Sequence, residues 1–228
     1  MLACRRVAIS FNATSRTRRW IFDTPEYYDR IFGELGRGEV LEWYNIDWQD
    51  VEPVLESFFR QLKPRRILDL GCGTSRLPAQ LCSRQFARLI VGCDISSKAV
   101  AQQKALTTQR SPGNRLIFHT GDASRLPYRD KCFDIILEKG LFDALGSTRR
   151  GAAQVPPMLV EAWRVLAPGG ALISLSQPGQ AEMKASTRSW LRQVQEVDLQ
   201  PPPVSVEQVG TLPAFGVCCF SVIKPEKS

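Results

Sequence analysis

Ile67 to Ser75 read Ile-Leu-Asp-Leu-Gly-Cys-Gly-Thr-Ser, a short apolar run that breaks on two glycines and passes directly into residues able to open a helix. A run of four residues, three of them apolar, is too short for a helix and suits a buried strand. Glycines at 71 and 73 let the chain turn tightly and bring backbone close to a ligand, the arrangement found at the first crevice of a doubly wound sheet. Comparable short runs recur at 67–70, 89–93, 116–118, 133–137 and 171–175, with helical stretches between them. This alternation predicts an α/β, Rossmann-like doubly wound sheet, mostly parallel.

The connections can be placed in outline. Thr74 or Ser75 can cap the first connecting helix, with Pro78 tolerated in its first turn. A second helix is expected from about Ser96 to a stop before Ser111-Pro112-Gly113. A third follows Pro156-Pro157 and ends at Pro168-Gly169-Gly170, with Leu159, Ala162, Trp163 and Leu166 at helical spacing toward the sheet. Leu191 to Leu199 and Phe215 to Ile223, joined across Pro201-Pro202-Pro203, read as a closing antiparallel pair. The sheet thereby reaches seven strands, the C-terminal one antiparallel. Residues 23–62 form an aromatic-rich N-terminal helical cap, and 63–228 the sheet domain.

Composition narrows the partners. The formal charge of +7 is concentrated at the start, where residues 1–22 hold five arginines and no acid; the remainder carries 25 basic against 23 acidic residues. A nearly neutral body argues against a general polyanion-binding surface, so no nucleic acid is expected. Arg, Ser and Thr mixed with spaced apolar residues in that leader match a mitochondrial presequence, which predicts the matrix; the alternative is a basic tail on a cytoplasmic protein. No apolar run approaches the ~20 residues of a membrane span. Seven scattered cysteines without a Cys-x-x-Cys, and one histidine, His119, make a metal site improbable and suit a reducing compartment.

The chemistry concentrates at strand ends. Arg76 stands where a nicotinamide fingerprint needs its third glycine, and Asp69 would repel a pyrophosphate. S-adenosylmethionine has no phosphate and carries a cationic amine and sulfonium, so a carboxylate at this turn fits it better. Asp94 closes the second run and can accept two ribose hydroxyl bonds. Asp122, after the third run, can meet the adenine amino group, with the Ala123 N–H beside it. Each could instead serve as a turn or cap residue.

The chain resembles the class I, seven-strand S-adenosylmethionine-dependent methyltransferases, and within them a methyltransferase-like family of protein-lysine methyltransferases. The second resemblance rests on Glu138-Lys139-Gly140-Leu141-Phe142-Asp143-Ala144. It rests also on Tyr27-Tyr28-Asp29-Arg30-Ile31-Phe32 followed by Glu42-Trp43-Tyr44, and on Arg164-Val165-Leu166 and Leu212-Pro213-Ala214-Phe215. That family includes enzymes acting on elongation factor 1-alpha and on mitochondrial citrate synthase. Thr74 stands where Asn is common, Leu141 where Thr is usual, Phe142 where Leu or Trp is, and Tyr28 where Trp is. The resemblance implies that Tyr28, Phe32 and Trp43 close over the cofactor, a role suited to aromatic rings facing a sulfonium. It also implies that Gly71, Asp94, Ile95, Asp122, Ala123 and Lys139 line its site. Tyr44, Trp48, Phe58 and Phe59 read instead as a core staple between cap and sheet.

The implied reaction is methylation of a protein lysine by a monomer, with no metal. Glu138 and Asp143 are the carboxylates placed to hold the ammonium and pass its proton to water. The alternative reading makes Glu138 and Lys139 an ion pair and Asp143 a helix cap.

Overall fold

The computed structural model describes residues 6–7, 24–36, 39–46, 48–108, 116–147, 149–176, 206–212 and 217–224. Among the described residues seven strands form one sheet: β1 (Arg66–Leu70), β2 (Leu89–Asp94), β3 (Leu116–Thr120), β4 (Phe133–Lys139), β5 (Leu166–Ser176), β6 (Val206–Leu212) and β7 (Val217–Ile223). Their order across the sheet is 3-2-1-4-5-7-6. β1 to β5 pair in parallel, while β7 runs antiparallel to both β5 and β6. The order reverses between β1 and β4, and a crevice opens beyond their carboxyl ends.

Alternation along each strand supplies two cores. Ile67, Ile90, Ile135, Leu137 and Ile173 face one side and meet α2 (Trp48–Leu62), whose Trp48, Val51, Leu55 and Phe59 recur at helical spacing. Leu68, Val91, Ile136 and Leu172 face the other and meet Met158, Leu159, Ala162 and Val165 of α7 (Val155–Val165). Trp163 is half-buried and lies under the Lys224 ammonium, 5.2 Å from its ring centre. The remaining helices are α1 (Pro25–Gly33), α3 (Leu77–Ser83), α4 (Ser97–Thr108), α5 (Leu141–Gly146) and α6 (Arg149–Ala152).

Three element boundaries differ from the sequence expectation. α3 starts at Leu77, because Thr74 turns its hydroxyl to the Leu41 N–H (2.9 Å) and only Ser75 bonds the helix, through Leu77 N (3.1 Å). β5 begins at Leu166, five residues early, since Gly169 and Gly170 exchange backbone bonds with Lys224 and extend the ladder. The strand paired with the last one is Val206–Leu212, after the prolines, which cannot donate to a ladder. Leu191–Leu199 lies outside the described residues, as do Ser111 to Gly113 and 213–216.

The cap is fastened from both ends. Thr24 caps α1, and Asp29 on that helix accepts bonds from Ser96 Oγ (2.6 Å), Ser97 Oγ (2.9 Å) and Lys98 N (3.1 Å) at the start of α4. Gln102 donates to the Phe32 carbonyl at 2.7 Å. In the leader, Arg6–Val7 pairs in parallel with Val40–Leu41. Among the described residues no helix is long and apolar enough to cross a membrane.

Candidate functional site

At the crevice, the turn after β1 hangs from β2: the N–H groups of Gly71 and Cys72 both donate to the Cys93 carbonyl, at 2.8 and 3.1 Å. Gly71 and Gly73 take φ values of +71° and +50°, which side-chain-bearing residues rarely adopt. A Cβ on Gly73 would lie 3.1 Å from the Phe32 ring, so the bare turn is what lets α1 lean onto it. Asp94 Oδ2 accepts from Gly73 N (2.7 Å) and Oδ1 from Ser96 N (2.8 Å). Its carboxylate is thereby fixed between the first two loops.

A cavity of about 270 Å³ lies over these loops. Of the residues singled out in the sequence, Tyr28, Phe32, Trp43, Gly71, Gly73, Asp94, Ile95, Asp122, Ala123 and Lys139 line it. Asp122 is exposed and accepts from Ser124 N and Oγ, both at 2.8 Å, an Asx turn that leaves it at the rim. Asp69, Glu138 and Asp143 do not line the cavity. Leu141, singled out in the sequence within the Glu-Lys-Gly motif, does, as do Leu145, Arg150, Gln154 and Met158, which sequence reading missed. They come from α5 to α7, which only the fold brings over the β4 end, so no local signal marks them.

Glu138 and Lys139 do not pair with each other. Glu138 is 1% exposed; Oε2 accepts from Leu141 N (2.9 Å) and Phe142 N (3.2 Å), while Oε1 accepts from Ser174 Oγ. It holds the turn that opens α5, and burial pushes its carboxyl up to about 8. The N-cap position of α5 is Gly140, and it is Glu138 rather than Asp143 whose side chain takes the first N–H groups of that helix. Lys139 instead meets Glu42, 97 positions earlier, and donates to the Ile46 carbonyl at 2.9 Å. Glu42 also accepts from Ser75 Oγ (2.7 Å) and Arg76 N (3.1 Å), which makes it the junction of cap, first loop and β4. Trp48 and Phe59 are core residues, their rings edge-to-face at 5.8 Å; the Phe58 side chain lies outside the described residues. Tyr44 packs against the same core and adds a polar end to the staple, since its hydroxyl donates to Asp143 Oδ2.

Asp69 lies under the floor of the site, 2% exposed, with Oδ2 meeting no partner among the described residues. Burial, reinforced by the nearby Asp94 charge, pushes its carboxyl up to about 8. The unfolded chain releases this proton near the ordinary Asp value, so the folded state holds the extra proton between about pH 4 and 8. Stability therefore falls as pH rises through that window. Asp69→Asn is expected to raise the stability of the cofactor-free protein by about 1–3 kcal/mol at pH 8.5, the scale of an uncompensated buried polar group, and by much less at pH 5. Thermal melts of both proteins at the two pH values check this.

The fold and cavity also fit known proteins. A family model described as a methyltransferase domain matches residues 68–174. The human eEF1A lysine and N-terminal methyltransferase is 30% identical over 203 residues, 85% of this chain and 28% of that protein. The Danio rerio mitochondrial citrate synthase-lysine N-methyltransferase is 27% identical over 217 residues, 88% of this chain and 83% of that protein. The phosphoethanolamine N-methyltransferase 2 of Haemonchus contortus, solved with S-adenosylhomocysteine, superimposes with a TM-score of 0.53 at 15% identity, over 78% of this chain and 53% of that one. Residues 68–174 are thus a methyltransferase domain, and the relatives together support a class I S-adenosylmethionine-dependent methyltransferase, although the chain spans under a third of the length of the human relative. Within that class, it is similar along most of its length, cap included, to methyltransferases of protein lysines.

The residues present fit S-adenosylmethionine. Gly71 and Gly73 leave the floor open where Cβ atoms would fill it, Asp94 offers a fixed carboxylate, and aromatic side chains of the cap stand across from them. No phosphate-binding lysine or third glycine is present in the β1 turn.

Proposed function

We propose that this chain is a protein-lysine N-methyltransferase. The observation that carries the reading is the extent of the similarity to two lysine methyltransferases, which takes in the N-terminal cap as well as the sheet domain. Asp94, Ile95, Asp122 and Ala123 would hold the nucleoside, Gly71, Gly73 and Lys139 the amino-acid end, with Tyr28, Phe32 and Trp43 closing the top. S-adenosylmethionine, when bound, supplies an electrophilic methyl carbon whose bond to sulfur breaks with the electron pair kept by sulfur.

A lysine amine with a pKa near ~10.4 arrives protonated. Asp143 is the carboxylate we assign to holding it, because it is half-buried whereas Glu138 is enclosed beneath the turn. The ammonium proton leaves to water, and the freed nitrogen lone pair forms the new N–C bond. Orientation of the two reactants supplies most of the rate.

The basic leader favours the mitochondrial matrix and citrate synthase as substrate; the second reading is elongation factor 1-alpha in the cytoplasm, supported by the human relative. Mass spectrometry of lysine methylation on both proteins, from cells with and without this chain, separates them. Loss from citrate synthase supports the matrix reading. Loss from the elongation factor alone overturns it, and no change in either points to a small-molecule acceptor or another protein.

A further inference from the structure

Helix α4 grips both the cap and the floor of the cavity. Gln102 Nε2 donates to the Phe32 carbonyl at 2.7 Å, while the next residue, Gln103, donates to the carbonyls of Gly73 (3.2 Å) and Ser75 (2.7 Å) in the turn after β1. The last turn of α1 is thereby set against the glycine floor, where a Cβ on Gly73 would meet the Phe32 ring. Phe32, Leu41 and Ala99 of α4 bury one another, and Tyr28 and Ile31 pack against them.

The other end of α1 is held by charge. Pro25 and Tyr28 both line the cavity, and the Tyr28 ring stacks on Phe32 with centres 6.4 Å apart. Asp29 fastens this end without lining the cavity itself. Its Oδ1 accepts from Ser96 Oγ and Lys98 N, and its Oδ2 from Ser97 Oγ. The Lys98 N–H is one of the first-turn donors that a helix cannot satisfy internally, so Asp29 completes the cap of α4 from a separate helix. Bonds to an ionised acceptor are roughly twice as strong as neutral ones. Ser96 is a firm post for them. It is 0% exposed, its N–H donates to Asp94 Oδ1 at 2.8 Å, and its Oγ accepts from Ala99 N at 3.1 Å.

We propose that Asp29 is a positioning residue for the cofactor: from behind the cap, it holds the end of α1 that carries Pro25 and Tyr28 closed over the amino-acid end of S-adenosylmethionine. This rests on the methyltransferase reading above, in which that end lies on Gly71 and Gly73 beneath Phe32, and goes beyond it in naming what keeps the cap shut. Because Ser96 is anchored independently of Asp29, loss of the latch leaves the nucleoside seat at Asp94 standing.

Two ligands separate this role from general damage to the fold. S-adenosylhomocysteine and methylthioadenosine share the nucleoside and the sulfur, and only the first carries the amino-acid end. In Asp29→Ala, calorimetry is expected to show S-adenosylhomocysteine bound at least about tenfold more weakly, the scale of one hydrogen bond to a charged group. Affinity for methylthioadenosine should stay within about twofold of native, and the loss should appear in stopped-flow traces as faster dissociation. Ser97 is exposed and supplies one of the three bonds, so Ser97→Ala should weaken S-adenosylhomocysteine by about threefold and leave methylthioadenosine unaffected. Unchanged S-adenosylhomocysteine affinity in either variant, or an equal loss of both ligands in Ser97→Ala, overturns the proposal. Failure of the native chain to bind S-adenosylhomocysteine at all would instead overturn the cofactor reading, and the latch with it.

Discussion

Asp94→Ala is expected to weaken S-adenosylmethionine binding by about 100-fold or more. Two hydrogen bonds from ribose hydroxyls to a charged acceptor contribute about 1.5 kcal/mol or more each, and about 1.4 kcal/mol is a factor of ten. The carboxylate also fixes Gly73 N and Ser96 N, so its removal loosens both loops that border the site. Asp94→Asn keeps one acceptor oxygen and should fall between the two. Burial raises the Asp94 carboxyl to about 6, with the bonds from Ser96 and Gly73 pulling the other way. Its protonated form has fewer lone pairs to offer, so affinity of the native protein should drop as pH falls from 7 to 5, and that of Asp94→Asn should not. Calorimetric titration across this range reads both effects. Equal affinity in the native and Ala proteins would remove Asp94 from the cofactor site.

The largest effect on stability is expected at Glu42. It is 4% exposed and Lys139 is 5% exposed, so truncating either leaves a buried charge without its partner. Such losses cost about 3–5 kcal/mol, against a total of about 5–15 kcal/mol for a typical domain. Glu42→Ala and Lys139→Met should therefore each lower the urea midpoint sharply. The double variant Glu42→Leu/Lys139→Met removes both charges and should recover much of the loss, because well-packed apolar residues can replace a buried pair at little cost. A double loss equal to the sum of the singles would show that the two residues act independently. Glu42 also accepts from Ser75 and Arg76, so its single variant should be the more damaging of the two.

The parts of this molecule that sequence discloses are those decided within a few residues. β1 to β4 stand out because buried parallel strands are short and uniformly apolar, and the β1 turn because two glycines must adopt positive φ. Ser96 is legible as the cap of α4, and its hydroxyl accepts from Ala99 N at 3.1 Å. A local signal misleads where it has a distant competitor. Thr74 has the chemistry of a cap, yet Leu41 claims its hydroxyl from 33 positions away. Glu138 and Lys139 are adjacent opposite charges, but neighbours on a strand point to opposite faces, and each found its partner elsewhere. That alternation was available from sequence alone. The strand at Val206–Leu212 was hidden by its irregular pattern, broken by a register shift between Gln208 and Gly210.

Tyr44 and Asn45 adopt φ of +62° and +55°, a backbone reversal that bears on how the cap can move. It lies in a short segment that carries Trp43 at the cavity and is pinned by Glu42 on Ser75 and by the Ile46 carbonyl on Lys139. A wall nailed down on both sides of a bend cannot swing aside as a hinged flap does. Access to the cavity is therefore expected to depend on α1, whose Tyr28 and Phe32 form the rest of that wall, rather than on Trp43.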